Sequence, residues 1–420
     1  MTRQKFFLAI FFVSIFILTS TNQQISSSPD SLSGKTAESV MSQSEKEVAD
    51  MKEVFEKYEQ WLDGQMAASR TVGAAVAITY KDQVAFIKCY GTRKLGSDEP
   101  IDEHTIFRLA SVSKPVTGVL TGVLAQEQVI DFDEKISEII PWLKLSNKTS
   151  TESLTLSNLL SHTTGLVPHA YDDLVESHVP MSTILERLQN VGISAAPGQV
   201  YGYQNVMFSL VDTILAVKTS KNYNQLIKEK IFEPIGMMDA SVDFESFKNN
   251  PNKAYPHRGA NGKYMSLPLN DRYYSTAPAA GVNASISDMS RFLVGLLDDN
   301  NPLLEEEISQ RIFEPQVVSR LSRGYFKYWE HVKTKKYALG WRMVDYKNRQ
   351  IAYHGGYVNG YKAEIAISKH DNIGIVYLSN SPNPVASQSV PMFFNTFFDF
   401  KESQPVMANS GEETDEDLTL

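Results

Sequence analysis

The chain has 420 residues, 42% of them hydrophobic and 21% charged, an ordinary globular balance with ample material for a large core. Its net charge of −9 argues against a duplex nucleic-acid binder, which needs basic patches to meet phosphate, so no nucleic-acid partner is expected. A single cysteine, Cys89, excludes an intramolecular disulfide framework and a thiolate metal cluster. It sits in an alternating apolar segment and reads as core filler.

At the N-terminus Arg3 and Lys5 precede an apolar run from Phe6 to Leu18. A positive segment followed by a short apolar one is the pattern of a secretory signal, shorter than the ~20 residues of a spanning helix. Residues 1–22 are therefore expected to be a signal peptide or an N-terminal anchor. Either places the protein in the periplasm, outside the cell, or held at the inner membrane. No cysteine follows the run, which excludes a lipoprotein anchor. Residues 23–42, rich in Ser, Thr, Asn and Gln, read as a flexible linker. Residues 401–420 carry Glu412, Glu413, Asp415, Glu416 and Asp417 and read as a solvated acidic tail.

Between them, residues 43–400 read as one domain. Val48, Met51, Phe55, Tyr58, Leu62 and Met66 recur at three- and four-residue steps, predicting an amphipathic helix. Val72–Tyr80 and Gln83–Tyr90, split by Lys81-Asp82, predict a β-hairpin. The stretch from Ser111 to Phe313 is mostly helical in period, with Pro and Gly punctuation. Gln350–Tyr353, Tyr361–Ser368 and Asn372–Ser379 predict three more strands, with breaks at Gly355, Gly356, Gly360 and His370-Asp371-Asn372. Val390–Phe400 predicts a closing helix. Strands at both ends with helices between them predict one sheet closed by the two termini, with a helical region inserted and a pocket where the two meet.

The chemistry centres on Phe107-Arg108-Leu109-Ala110-Ser111-Val112-Ser113-Lys114-Pro115. Serine is a weak nucleophile at neutral pH and needs a nearby base. Three residues apart on a helix, Ser111 and Lys114 share a face. Pro115 suits a first turn, so Ser111 is expected near a helix N-terminus, where the dipole favours developing negative charge. Alone the tetrapeptide is weak, since ~1–3 copies arise by chance in a chain this long, and by itself it reads better as an N-cap serine with an exposed lysine.

Its context resembles the serine β-lactamase and penicillin-binding protein superfamily, in the class C β-lactamase-like branch with its DD-peptidases and esterases. Ser111-Val112-Ser113-Lys114 with Thr117-Gly118-Val119-Leu120 is similar to that branch's nucleophile helix. Leu159–Leu166 and Ala277–Met289 resemble two of its marker segments, and Tyr337-Ala338-Leu339-Gly340-Trp341 the strand start before its third motif. Pro197-Gly198 followed by Tyr203-Gln204-Asn205 resembles the Y-x-N element. Tyr353-His354-Gly355-Gly356 stands where the superfamily usually carries K-T-G, with histidine in place of lysine. Lys333-Thr334-Lys335 is a rival for that place but lacks the glycine and the edge-strand setting.

The resemblance implies a β-lactamase/transpeptidase-like α/β (α+β) fold, an antiparallel sheet flanked by helices plus a mostly helical region. It implies Ser111 as nucleophile, with Lys114 and Tyr203 shuttling the proton. Asn205, His354, Gly355 and Gly356 would bind substrate, and the N–H groups of Ser111 and Tyr357 would form an oxyanion hole. No cofactor and no metal are implied. His104, His162, His169, His178, His257 and His370 show no metal spacing and read as surface or hydrogen-bonded residues. The implied activity is hydrolysis of an amide or ester through an acyl-enzyme: a β-lactam, a D-alanyl peptide or a small acyl ester. The partner would be a small-molecule or peptide substrate, peptidoglycan-derived among the options. The alternative is a penicillin-binding sensor or cell-wall-associated module that acylates with little turnover. Loss of the lysine weakens the case for a β-lactamase, because histidine is mostly neutral at pH 7.

Overall fold

The computed structural model describes residues 43–300, 303–319 and 325–403. The apolar run Phe6–Leu18, the linker 23–42 and most of the acidic tail lie outside the described residues. No helix among the described residues is long and apolar enough to cross a membrane.

The first folded strand pairs with the last. Strand β1 (Gly73–Tyr80) runs antiparallel to β8 (Ile373–Ser379), with Ala74 opposite Ser379 and Tyr80 opposite Ile373. The remaining strands are β2 (Gln83–Gly91), β3 (Val317–Val318), β4 (Val332–Tyr337), β5 (Arg342–Tyr346), β6 (Arg349–Val358) and β7 (Tyr361–Ser368). Their order across the sheet is β2-β1-β8-β7-β6-β5-β4-β3, every neighbour antiparallel. This is the sheet closed by its two ends that the residue pattern predicts, antiparallel as the resemblance implies.

Side-chain alternation divides the sheet into two faces. Ala74, Val76 and Ile78 of β1 join Ile375 and Tyr377 of β8 under helices α1 (Gln43–Asp50) and α2 (Lys52–Ser69) and the C-terminal helix. Ala75, Ala77, Val376 and Leu378 face the helical region. That region holds α3 (Ser113–Gln126), α4 (Asn205–Thr219) and α5 (Ile286–Leu297). The C-terminal helix, α6, spans Pro384–Ser403. It starts ahead of the predicted Val390 because the Asn383 side chain accepts the Ala386 N–H at 2.9 Å, an N-cap with Pro384 just inside it. It also carries helix three residues into the segment read as a tail. The predicted first helix is broken in two at Met51.

Three features depart from the sequence pattern. Strand β4 and the hairpin His257–Ala260/Lys263–Ser266 escape it because their residues are largely polar and exposed, and β5 because it is short and nearly all buried, with no polar–apolar alternation. Gly355 and Gly356 do not break β6. They pair with Glu364 and Ala363, and the chain turns only at Asn359 (φ 44°) and Gly360 (φ 92°), a two-residue turn with both residues left-handed. Lys333-Thr334-Lys335 does lie in a strand near the sheet edge, but the Lys333 ammonium is held by Asn348 in the β5–β6 turn, at the far end of β6 from His354. Cys89 is half-buried on β2 against the core, and burial pushes its thiol up to about 12.

Candidate active site

Ser111 lies in a short 3₁₀ turn, Ala110–Val112, that runs directly into α3. Ala110 sits at φ 49°, a left-handed conformation that an L-residue with a side chain adopts at a cost. Backbone contacts hold the turn there: Leu109 N–H donates to Val282 O at 2.9 Å, and Val282 N–H donates to Ser113 Oγ at 2.9 Å. The Ala277–Met289 segment thus clamps the nucleophile turn. Ser111 is the half-exposed residue in an otherwise buried stretch.

Lys114, in the first turn of α3, is fully buried. Its ammonium donates to Asn205 Oδ1 at 2.8 Å and to Ala279 O at 3.0 Å, and stands 4.5 Å from the centroid of the Tyr203 ring. Among the described hydrogen bonds none joins it to Ser111; the shared helix face brings the two to one tyrosine instead. Burial drives the lysine well below its ordinary range, and the Arg342 charge pushes the same way against the pull of Asp172.

Tyr203 donates its hydroxyl to Ser111 Oγ at 2.8 Å. Burial raises the phenol above its ordinary range, opposed by the Arg342 cation and by the bond to Ser111. Its backbone is laced to the Leu159–Leu166 segment and to His169 just beyond it. His169 N–H donates to Tyr203 O at 2.8 Å, Gln204 N–H donates to His162 Nδ1 at 3.2 Å, and Gly202 N–H donates to His162 O at 2.8 Å. Asn205 opens α4, and its amide is oriented from both ends. Oδ1 accepts from Lys114, while Nδ2 donates to Asp172 Oδ2 at 3.0 Å.

On the other wall, β6 loses its β5 neighbour after the Tyr353–Arg342 pair, leaving His354–Val358 with a free edge. Gly356 abuts the nucleophile turn: a Cβ there would stand 2.3 Å from Leu109 O and 3.0 Å from Ser111 N. His354 is fully buried. Its Nδ1 contacts Gly355 O at 2.9 Å and its Nε2 contacts Tyr337 OH at 3.0 Å. A carbonyl can only accept, so Nδ1 carries the proton and Nε2 accepts from Tyr337. Burial, then Arg342 and Lys114, hold this imidazole well below its ordinary range, so it is neutral. Gly355 faces away, toward Glu364 and Tyr325.

These walls enclose a cavity of about 570 Å³ lined by Ser111, His169, Asp172, Tyr203, Asn205 and Tyr357, with Arg258 and Arg272 also in its wall. The Beta-lactamase family model matches residues 58–391.

The chain belongs to the beta-lactamase family.

It is 25% identical over 321 residues to Beta-lactamase-like protein 2 of Dictyostelium discoideum, covering 72% of this chain and 55% of that protein. It is 22% identical over 305 residues to an unguisins hydrolase of Aspergillus campestris, covering 70% of this chain and 56% of that protein. Protein flp of Staphylococcus aureus is 22% identical over 322 residues, at 73% and 59% coverage. The chain thus spans little more than half the length of these relatives. Among solved structures, the octameric penicillin-binding protein homologue from Pyrococcus abyssi superposes with a TM-score of 0.69 at 19% identity, covering 83% of this chain and 77% of that one. The β-lactamase/transpeptidase-like fold follows.

Within that fold Ser111, Lys114, Tyr203 and Asn205 come together, with Gly356 against Ser111 and Tyr357 in the cavity wall. His354 stands behind the cavity, bonded to Tyr337, and Gly355 faces away. Sequence reasoning missed Asp172, which orients Asn205, and Arg342, buried beside Tyr203. Neither belongs to a motif: Asp172 starts a five-residue helix and Arg342 follows Trp341 at the start of β5. Among the described residues no cluster of three or more His, Cys, Asp or Glu could hold a metal ion.

Proposed function

We propose that the chain is a serine hydrolase that cleaves an amide or ester through an acyl-enzyme on Ser111. The observation that carries this is the 2.8 Å hydrogen bond between Tyr203 OH and Ser111 Oγ, with the Lys114 ammonium over the same phenol ring, in the wall of an open cavity.

In this reading Lys114 is neutral at rest and takes the phenol proton of Tyr203. The phenolate accepts the Ser111 proton as Oγ bonds to the substrate carbonyl carbon, and the carbonyl electron pair becomes an oxyanion. The N–H groups of Ser111 and Tyr357 receive it. Collapse restores the carbonyl and breaks the bond to the leaving group, which departs with the proton from Tyr203. Water repeats the sequence on the acyl-enzyme. No cofactor enters.

Neutral His354, both nitrogens engaged, supplies no cation for a substrate carboxylate. This supports a substrate that needs no cation there, such as a small acyl ester, over a β-lactam. A relative named a hydrolase supports the reaction class. The charged-then-apolar N-terminus supports action outside the cytoplasm, with the protein secreted, periplasmic or membrane-held.

The test is a panel of a penicillin, a chromogenic cephalosporin, a D-Ala-D-Ala peptide and a short nitrophenyl ester, followed by turnover and intact mass, with Ser111→Ala as control. An adduct or turnover lost in the variant supports the reading. A stable adduct without turnover moves the protein to a penicillin-binding sensor. Neither adduct nor turnover in wild type removes the assignment.

A further inference from the structure

Arg342 is a buried cation for which no carboxylate accounts. It starts β5, across from Tyr337 on β4 and Tyr353 on β6, and is 5% exposed. Its Nη1 donates to Tyr201 OH at 3.0 Å, and its Nε has no hydrogen-bond partner among the described residues. Among the described residues no carboxylate lies within ion-pair distance of it. Its surroundings are aromatic: its Cζ stands 4.9 Å from the centroid of Tyr325, 5.3 Å from Tyr337 and 5.5 Å from Tyr203.

Removing a guanidinium from water without a carboxylate is costly, and ring faces return part of that cost. A methionine or leucine of similar reach would avoid it. The position of the charge gives it a use. Tyr203 lies between the Lys114 amine and the Arg342 guanidinium. Lys114 is the proton's destination, so its charge changes during the reaction. The guanidinium keeps its charge throughout, since it does not deprotonate in proteins. His354 has no charge to contribute at this wall, being neutral and committed to Tyr337.

Resting on the acyl-enzyme reading above, we propose that Arg342 is a positioning residue for that reaction, whose fixed positive charge stabilises the phenolate of Tyr203 and so sets the pH range in which Ser111 is activated. The titratable groups facing Tyr203 are few enough to interpret. Lys114 approaches from α3, His162 and His169 from the segment laced to its backbone, and His354 from β6. Tyr201, Tyr325 and Tyr337 complete the cage around Arg342, and two carboxyls act through space, Glu364 on Arg342 and Asp172 on Lys114. Of these only Arg342 is a permanent positive charge.

The measurement is the rate at which a neutral fluorophosphonate labels Ser111, read by intact mass from pH 5 to 10. Oγ bonds to phosphorus, fluoride leaves, and the serine proton passes to Tyr203, so the rate rises with pH as the Lys114–Tyr203 pair loses one proton and its phenolate form becomes available. Removing the cation makes the phenolate harder to form, so the rising limb of Arg342→Met must move to higher pH. The expected result is labelling roughly ten- to a hundredfold slower at pH 7, recovering toward the wild-type rate at alkaline pH. Arg342→Lys, which keeps the charge, should hold the limb within a fraction of a pH unit. So should Tyr201→Phe, which removes only the hydrogen-bond partner.

An Arg342→Met limb that coincides with wild type overturns the proposal, as does a uniform loss at every pH. If Arg342→Met fails to fold, Arg342→Lys decides: folded protein with a displaced limb shows that the guanidinium fork, not the charge, is what matters. Wild type unlabelled at Ser111 removes the acyl-enzyme reading and this inference together. Labelled wild type with an indifferent Arg342→Met removes this inference alone.

Discussion

Gly356 packs against the amide nitrogen of Ser111, from which a Cβ at that position would stand 3.0 Å, while meeting Leu109 O at 2.3 Å. The strand edge and the nucleophile turn therefore touch mainly through backbone, with the Ala110 Cβ next at 3.2 Å. Backbone atoms cannot rotate aside as a side chain can, so Gly356→Ala must push β6 from the turn. It should lose ~1–3 kcal/mol of stability, as overpacked sites do, and label Ser111 at least tenfold more slowly. Thermal denaturation and mass labelling check both. A variant as stable and as fast as wild type shows that the two backbones are further apart.

Lys114 is held for chemistry at the expense of stability. Its amine is fully buried, with one amide oxygen and one carbonyl as partners and, among the described residues, no carboxylate in direct contact. Replacing a buried ionisable group by an apolar side chain of similar length is often neutral or stabilising. Lys114→Met should therefore melt at or above the wild-type temperature while acylating ~10²–10⁴-fold more slowly. A marked fall in melting temperature would assign Lys114 a structural role first.

Asp172 fixes which way the Asn205 amide faces. With Nδ2 donating to Asp172, Oδ1 is left for Lys114. In Asp172→Ala the amide is free to rotate, and acylation should slow about tenfold, one lost buried hydrogen bond. Asp172→Asn still offers an oxygen to Nδ2 and should keep most of the rate. Equal losses in the two variants would trace the effect to the Asp172 charge on Lys114.

Glu364 lies buried on β7 opposite Gly355, accepting from Tyr353 OH at 2.5 Å. Burial raises its carboxyl from the ordinary 4.5 to about 7, against smaller opposing effects of Lys362, the Tyr353 hydrogen bond and Arg342. Between those values the folded protein holds a proton that the unfolded chain has lost. The stabilisation is thus full below about pH 4.5 and is lost as pH rises through about 7, a change of about 3 kcal/mol. Asp288, raised to about 6 by burial, slopes the same way in wild type and variant and cancels. Glu364→Gln should therefore gain on wild type between pH 5 and pH 8 in urea denaturation. A constant difference across that range would mean that Glu364 is ionised in the folded state at both ends.

The ends of the sheet, the order of the motifs and the four side chains that meet around the nucleophile are all legible in the residues. Ser111 with Lys114, and Tyr203 with Asn205, are pairs local in the chain, and local geometry fixes how each pair is presented. The β1–β2 hairpin and α2 are equally legible, because period-2 and 3.6-residue patterns are written in neighbouring residues. The residue pattern places a break of β6 at Gly355, since glycine reads as punctuation. Only pairing with β7 and contact with the Ser111 turn show that these glycines lie within a strand.

The remaining features exist only once distant elements are brought together. His354 reads as a substrate-binding group by position, yet the fold buries it behind the cavity against Tyr337. Asp172 and Arg342 carry no motif, because their meaning lies in what stands across from them: an amide from α4, and tyrosines from β4 and from the segment leading into α4. A buried charge is set by its surroundings, since desolvation and partner charges act through space and across elements far apart in the chain.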